Sequence, residues 1–424
     1  MSEKWVFFDL DGTLTQSEEG IWNCAKYAAE RMGFPIPDAA TLRKFIGPPL
    51  VWSFQELMGM TEAQAYQAQE IYRERYIVKG KYENKVYPGV RAMMRALRSQ
   101  GVHMGIVTGK PEQATRDILE YFGLMKFVER ISCTKDSRAE KEHLIRAVMP
   151  DAPVEIWMVG DRKFDMEGGV RVGAHTVGVT YGYGSPEELR ASGAEFLAED
   201  AWRVAEIICP GVEKPRGAFL SMEGLDGSGK STQMEKLTQT LEKFGFEVVH
   251  SREPGGTPIG EKIREILLSR ENMEMTEVTE ALLYAAGRAQ HVREKIRPAI
   301  AAGQVLLCDR FLDSSVAYQG GGRQLGVDQV LAINAPAVEE TLPLLTVYLD
   351  LDHRTSLKRR SEASQLDRME VEKEEFHARV EEGYHELIRR NPERYVVVDA
   401  RGDREIIAEH IAKAVLGKLM EAEK

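Results

Sequence analysis

The chain is poor in cysteine: Cys24, Cys133, Cys209 and Cys308 are the only four in 424 residues. They are scattered with no CxxC pair, which excludes a disulfide framework or a cysteine zinc site and suits buried thiols in a reducing compartment. No run approaches the ~18 consecutive apolar residues that a membrane-spanning helix needs. The stretch before Asp9 has neither a basic flank nor a long apolar core, so no signal peptide is expected and the protein reads as cytoplasmic. Positive charge is not in excess either. With 56 Lys and Arg against 67 Asp and Glu, the net charge of -11 argues against nucleic acid as a partner, while leaving room for basic pockets that hold single phosphates. Internal repeats and low-complexity tracts are absent. What remains is a soluble composition, 43% hydrophobic and 29% charged, at a length that predicts two or three domains.

Short β-branched runs alternate with helical patterns, which predicts two α/β domains with mostly parallel sheets. Strands are expected at Trp5–Phe8, Met104–Val107, Ile156–Val159 and Thr176–Val179, then at Ala218–Met222, Glu247–His250, Val305–Cys308, Thr346–Leu349 and Tyr395–Val398. Between the first strand and Pro88 lies an insertion with helical spacing, including Glu18–Met32 and Glu62–Val78. No strand-like run interrupts it, so residues of about 15–88 are expected to form a helical cap. Two prolines and a glycine in Cys209-Pro210-Gly211-Val212-Glu213-Lys214-Pro215 mark the boundary. The expected organisation is a domain over 1–210, a linker over 211–216 and a second domain over 217–424.

Asp9-Leu10-Asp11-Gly12-Thr13 follows the first strand. Period-2 geometry would point the Asp9 and Asp11 side chains the same way. Such a pair can divide labour, one carboxylate attacking phosphorus while the other protonates the leaving oxygen and later activates water. A phosphomonoester repels carboxylates, so a cation is implied, with Mg²⁺ the natural choice. Thr108-Gly109 and Gly160-Asp161-Arg162-Lys163-Phe164-Asp165 follow further strands, at the carboxyl ends where ligands gather in parallel sheets. This set resembles the haloacid dehalogenase superfamily, in particular its phosphoglycolate-phosphatase-like members, over about the first 205 residues. The resemblance implies a Rossmann-like parallel sheet with a cap. It makes Asp9 the nucleophile and Asp11 the general acid/base, with the Asp11 carbonyl on magnesium. Thr108 would hold the phosphoryl oxygens, and Asp161 and Asp165 would complete the metal site. The family's lysine is matched by Lys141 in Arg138-Ala139-Glu140-Lys141, with Lys135 the second choice. Gly47-Pro48-Pro49-Leu50 resembles the cap's substrate-facing loop.

At mid-chain, Gly224-Leu225-Asp226-Gly227-Ser228-Gly229-Lys230-Ser231 follows a strand and opens the helical stretch Thr232–Phe244. In such a GxxxxGK[ST] run the glycines let the backbone curl so that N–H groups converge on phosphate, and the helix adds its positive end. Lys230 would reach the β- and γ-phosphates, and the Ser231 hydroxyl would ligate Mg²⁺. Around it stand Arg252-Glu253-Pro254, Leu283-Tyr284-Ala285-Ala286-Gly287-Arg288, Asp309-Arg310-Phe311, and Ser314-Ser315-Val316-Ala317-Tyr318-Gln319-Gly320-Gly321-Gly322-Arg323. Together these resemble thymidylate kinase from about Gly217 to the end. The resemblance implies a P-loop nucleoside monophosphate kinase with ATP, dTMP and Mg²⁺. Its ATP site would take residues from Gly224 to Thr232, with Asp309 near the metal. Arg310 would grip the acceptor phosphate, with Arg252 and Glu253 beside it. Tyr284 would stack on thymine, worth roughly 1–3 kcal/mol. Arg288, Ser315 and Gln319 would meet the base edge, Tyr318 would favour deoxyribose, and Asp226 would meet the 3′-hydroxyl. The segment Leu366-Asp367-Arg368-Met369-Glu370 resembles the family's lid, and Arg359 or Arg360 would close over ATP.

The resemblances imply a bifunctional chain: dTMP kinase in the second half, with a homodimer expected, and a Mg²⁺-dependent phosphatase in the first. Phosphoglycolate, a nucleoside monophosphate and a sugar phosphate all suit the cap type. Two alternatives stay open: a working kinase carrying a non-catalytic phosphatase-like domain, and a nucleotide-binding switch without acceptor chemistry.

Overall fold

The computed structural model describes residues 3–46, 48–134, 140–151, 154–361 and 367–422, with the side chains of 360 and 361 set aside. Gly47, Lys135, Arg138, Ala139, Leu366 and the Arg360 side chain, all named above, lie outside the described residues. The chain divides into two compact units, Met1–Lys214 with Glu242–Gly245, and Pro215–Leu241 with Phe246–Lys424.

The first unit is built on β1 (Lys4–Phe8), β4 (His103–Thr108), β5 (Arg130–Cys133), β6 (Glu155–Gly160), β7 (His175–Val179) and β8 (Phe196–Ala198). They form one parallel sheet in the order β5-β4-β1-β6-β7-β8. Trp5, Val6, Phe7 and Phe8 are all buried, as expected for a central strand covered on both faces. Four helices, α1 (Glu18–Arg31), α2 (Ala39–Arg43), α3 (Leu50–Met58) and α4 (Glu62–Val78), make the cap. Their apolar faces close on a small core of their own around Phe45, Phe54, Tyr72 and Tyr76. The expectation of an insertion free of strands is corrected at its two ends. There β2 (Thr15–Gln16) and β3 (Lys85–Val86) pair antiparallel and tie the cap's entry to its exit. Two-residue strands leave no alternating pattern to read.

The second unit contains β9 (Ala218–Gly224), β10 (Val248–Arg252), β11 (Val305–Asp309), β12 (Leu345–Asp350) and β13 (Tyr395–Asp399). These run parallel in the order β10-β11-β9-β12-β13. The helix Lys230–Lys243 follows β9 directly, so the glycine-rich run lies at the carboxyl end of the sheet's central strand. One core, around Leu220, Met222, Val347 and Leu349, packs that helix against one face of the sheet. A second core, around Phe219, Phe311, Tyr348 and Tyr384, fills the other. No described helix is long and apolar enough to cross a membrane.

Candidate active sites

In the first unit the three central strands β4, β1 and β6 end side by side and deliver Thr108, Asp9 and Asp161. Gly12 has φ 87°, and a side chain there would run into the Asp161 carboxylate, so this turn requires glycine. Asp161 accepts from the Tyr183 N–H at 2.8 Å and the Thr13 hydroxyl at 3.5 Å. Lys141 opens the helix Lys141–Arg146 and reaches Asp9 and Asp165, both at 2.6 Å. Asp165 also accepts from the Arg162 N–H at 3.1 Å. Thr108 is buried, and its hydroxyl oxygen accepts from the Lys110 N–H at 3.3 Å.

Asp9, Asp161 and Asp165 offer oxygens that all lie within 4.8 Å of one another. Burial pushes Asp9 up to about 7, against the pull of Lys141. Burial, then Asp165 and Asp9, push Asp161 well above the ordinary carboxylate range. Lys141 pairs with Asp9 and Asp165, while Asp161 accepts from an N–H and a hydroxyl, so three crowded carboxylates have one ammonium among them and the cluster is short of positive charge. An all-oxygen donor set with that deficit fits Mg²⁺.

Strand period-2 geometry does not relate Asp9 to Asp11, although the Asp11 charge is near enough to help burial raise Asp9. The strand ends at Phe8, so strand periodicity does not extend to residue 11. The Asp11 carboxylate is not part of the three-aspartate cluster. It pairs instead with Lys110 at 2.9 Å, and its other oxygen is buried without a hydrogen-bond partner. Lys110 is 8% exposed, donates to the Tyr76 hydroxyl of the cap and lies 4.8 Å from that ring's centre. It was not singled out in the sequence. The available signal was its place two residues after Thr108, next to Pro111 at the start of a helix.

In the second unit Gly227 and Gly229 take φ 78° and 94° and curl the run around Ser228. The Lys230 ammonium is folded into this loop, donating to the Gly224 and Leu225 carbonyls at 3.1 Å each. Burial, then Arg310, lower its pKa. Leu225 is buried in the apolar core behind the loop. Asp309 ends β11 with one carboxylate oxygen buried and unpartnered, and it lines a cavity of about 520 Å³ together with Ser231 and Thr232. A hydroxyl and an unsatisfied carboxylate oxygen suit a second Mg²⁺ site. The same cavity is lined by Arg252, Glu253, Tyr284, Arg288, Arg310, Ser315, Tyr318 and Gln319, so the residues expected for donor and acceptor share one space.

Several of these side chains already have protein partners. Arg310 has φ 67°, a left-handed conformation that costs a non-glycine residue roughly 1–2 kcal/mol. Its guanidinium donates to Asp226 at 2.7 Å and lies over the Tyr318 ring, while the Tyr318 hydroxyl donates to Asp226 at 3.3 Å. Burial works to raise Asp226, but Arg310 and then Lys230 outweigh it and hold it well below the usual range. Glu253 is buried between Arg288 at 2.7 Å and the His291 ring at 2.8 Å. Arg288 also donates to Asn334, to the Phe311 carbonyl at 3.1 Å and to the Ser315 hydroxyl at 3.1 Å. Arg252 is more than half exposed and pairs with Glu261 at 3.1 Å. Gln319 donates to Glu280 at 2.9 Å and keeps its carbonyl oxygen buried and unpartnered. Tyr284 is half-buried on the cavity wall.

The structure does not bring Arg359 into this cavity. It is exposed and donates to the Ala400 carbonyl at 3.3 Å. Asp367, Met369 and Glu370 of the lid segment do line the cavity, and Arg368 is buried against Glu280 at 2.7 Å. Arg264 and Glu280 were missed in the sequence. Arg264 lines the cavity and donates to the Pro254 carbonyl at 2.8 Å, and Glu280 pairs with Arg323 and Arg368 far along the chain. Because breaking a buried ion pair from one side costs about 3–5 kcal/mol, Arg288→Met is expected to destabilise this unit by that amount. Faster native-state amide exchange across β9 and β11 would report it. Unchanged exchange would show that the Glu253 pair carries no stability.

A strand, a glycine-curled phosphate loop and a helix beside a 520 Å³ cavity define the second unit as a P-loop nucleotide-binding protein. Family comparisons are more specific. Residues 222–411 match the thymidylate kinase family and 6–179 the haloacid dehalogenase-like hydrolase family. Thymidylate kinase from Caldanaerobacter subterraneus subsp. tengcongensis is 48% identical over 202 residues, 47% of this chain and 95% of that protein. That from Enterococcus faecalis is 46% identical over 209 residues, 49% of this chain and 99% of its own. Among solved structures, a predicted phosphatase from Clostridium acetobutylicum is 36% identical, with 49% of this chain and 99% of that chain covered at TM-score 0.45. A haloacid dehalogenase-like family hydrolase from Streptococcus pneumoniae is 31% identical, with 49% and 98% covered at TM-score 0.46. The chain belongs to the thymidylate kinase family through its second half and carries a haloacid dehalogenase-like hydrolase domain in its first.

Proposed function

We propose that the second half transfers the terminal phosphoryl group of ATP to dTMP, giving dTDP and ADP, and that the first half hydrolyses a small phosphomonoester through an aspartyl-phosphate on Asp9. The observation that carries the kinase reading is the shared cavity, whose lining includes Lys230 and Ser231 together with Tyr284, Arg288 and Gln319. In this reading the loop from Gly224 to Thr232 cradles the ATP phosphates and Lys230 balances charge on the migrating group. Arg310 binds the dTMP phosphate, which its fork geometry suits. Tyr284 stacks on the base, and Arg288, Ser315 and Gln319 meet its edge. Asp226 and Tyr318 face the sugar. A hydrophobic notch separates thymine from uracil by only ~1–3 kcal/mol, so slower turnover of dUMP is expected as well.

In the first half Asp9 attacks phosphorus while Asp11, beside Lys110, gives a proton to the leaving oxygen and later takes one from water. Thr108 and Lys141 hold the transferring oxygens. Asp9, Asp161, Asp165 and the Asp11 carbonyl would hold Mg²⁺ there, and Ser231 and Asp309 would hold it in the second half. Bound Mg²⁺ supplies positive charge to the phosphoryl oxygens at each site.

Incubating the full chain with ATP, Mg²⁺ and each of the four common deoxynucleoside monophosphates tests the kinase. Expected is dTDP as the main product. ATP binding without any dTDP would instead support a nucleotide-dependent switch.

A homodimer is also proposed, through the helices Pro258–Leu268 and Glu277–His291. Their outer faces leave Ile259, Ile266, Val278 and Leu282 between 44% and 53% exposed, an apolar patch that a second copy of this chain would cover. Leu282→Glu is expected to shift the solution mass from dimer to monomer in analytical ultracentrifugation. A wild type sedimenting as a monomer at assay concentrations would sink the dimer.

A further inference from the structure

Glu223 is the last residue of β9 before Gly224, and it is fully buried. One carboxylate oxygen accepts from the Phe311 N–H at 2.7 Å. Phe311 directly follows Arg310, the residue held at φ 67°. The other oxygen accepts from the Ser314 hydroxyl at 2.6 Å and from the Tyr384 hydroxyl at 2.9 Å. Those two hydroxyl oxygens in turn accept from the Arg310 guanidinium, at 3.2 and 3.3 Å.

The two hydroxyls also lie 2.8 Å from each other. A carboxylate can only accept and a guanidinium can only donate, so the arrangement that serves all three groups turns the hydroxyl hydrogens toward Glu223 and the lone pairs toward Arg310. We propose that Glu223 is a positioning residue for the acceptor-phosphate clamp: it pins the left-handed turn at Arg310 and orders the Ser314 and Tyr384 hydroxyls to receive that guanidinium. The inference rests on the reading of Arg310 as the group that binds the dTMP phosphate.

Glu223→Gln separates shape from this ordering. The Phe311 N–H still needs an acceptor, so the glutamine carbonyl must face it and the NH₂ must face the hydroxyls. The hydroxyls then accept from glutamine; one hydrogen can pass between them at 2.8 Å, and the other is left facing Arg310, where donor meets donor. Burial, then Asp313, push Glu223 up to about 7, so assays belong near pH 8, where the carboxylate is ionised.

The expected result is selective. In the full chain, Glu223→Gln raises KM for dTMP by about tenfold or more, the scale of one charge-assisted hydrogen bond, with little change in KM for ATP. Ser314→Ala with Tyr384→Phe removes the lone pairs from the other side and should reproduce the dTMP effect. Adding Glu223→Gln to that pair should then change KM little further, because the route is already cut. Equal changes for dTMP and ATP, or full additivity with the hydroxyl variants, would overturn the proposal. If Glu223→Gln does not fold, the hydroxyl pair decides alone, and an unchanged dTMP KM there refutes it. A wild type that makes no dTDP would sink the reading of Arg310 beneath it, and this inference with it.

Discussion

Asp9→Asn in the full chain is expected to lower phosphate release from its best phosphomonoester by on the order of 10⁴-fold or more, the scale of losing a nucleophile, and to leave dTDP formation unchanged. At about 1.4 kcal/mol per factor of ten this is more than 5 kcal/mol of lost barrier reduction. Asparagine keeps the shape of the side chain but has no carboxylate oxygen to attack phosphorus. The substitution should not unfold the protein. Burial pushes the Asp9 carboxyl up to about 7, so the fold bears that charge at a cost, and Lys141 keeps Asp165 at 2.6 Å as a partner. A loss of activity can therefore be assigned to chemistry. The assay needs a panel of phosphoglycolate, nucleoside monophosphates and sugar phosphates with Mg²⁺. Equal, slow release by wild type and variant from every ester would show that this domain is a passenger or regulator of the kinase. Asp11→Asn should also be slow, because it removes the acid/base group, yet it should still trap phosphate on Asp9 if the step order is as proposed.

Most of the fold was legible because central strands of parallel sheets are continuous apolar runs bounded by chemically distinctive residues. Trp5-Val6-Phe7-Phe8 and Ala218-Phe219-Leu220-Ser221-Met222 each end in a phosphate motif, so strand and site announce each other. The edge strands β5 and β8 were not visible. Arg130-Ile131-Ser132-Cys133 and Phe196-Leu197-Ala198 are short and partly exposed, as sheet edges tend to be. At the sites, the residues that sequence reasoning found are those bearing reactive or phosphate-binding groups within local motifs. The residues that hold them are not local. Glu280 meets Arg368 88 positions away, and Glu223 meets Tyr384 161 positions away. Each is one carboxylate among 67 acidic residues until the fold closes. Lys110 lay beside a recognised motif, but its role depends on Tyr76, contributed by the cap across the domain. The choice between Arg359 and Arg360 stayed open for a related reason. A basic helix before the lid offers several guanidinium groups, and spacing alone does not say which one turns inward.

Lys230→Met is expected to reduce kcat for dTDP formation by about 10³-fold, some 4 kcal/mol, the scale of removing one preorganised charge from a developing anion. KM for dTMP should change much less. Lys230 sits in the loop that would hold the ATP phosphates, whereas the dTMP phosphate is assigned to Arg310. The lysine's charge is maintained against burial and against Arg310, with Asp226 3.9 Å away in partial compensation. A buried ammonium held at that cost, whose present acceptors are only two backbone carbonyls, is poised to exchange them for phosphate oxygens. Methionine fills similar volume without stranding a charge. The Gly224 and Leu225 carbonyls each lose one donor, at about 1 kcal/mol apiece, so the loop should remain folded. The readout that decides is the split between constants. A large loss in kcat with dTMP affinity retained places Lys230 on the transferring phosphoryl group. A raised KM for dTMP with kcat intact would place it on the acceptor instead, and the phosphate assignments of Lys230 and Arg310 would have to be exchanged.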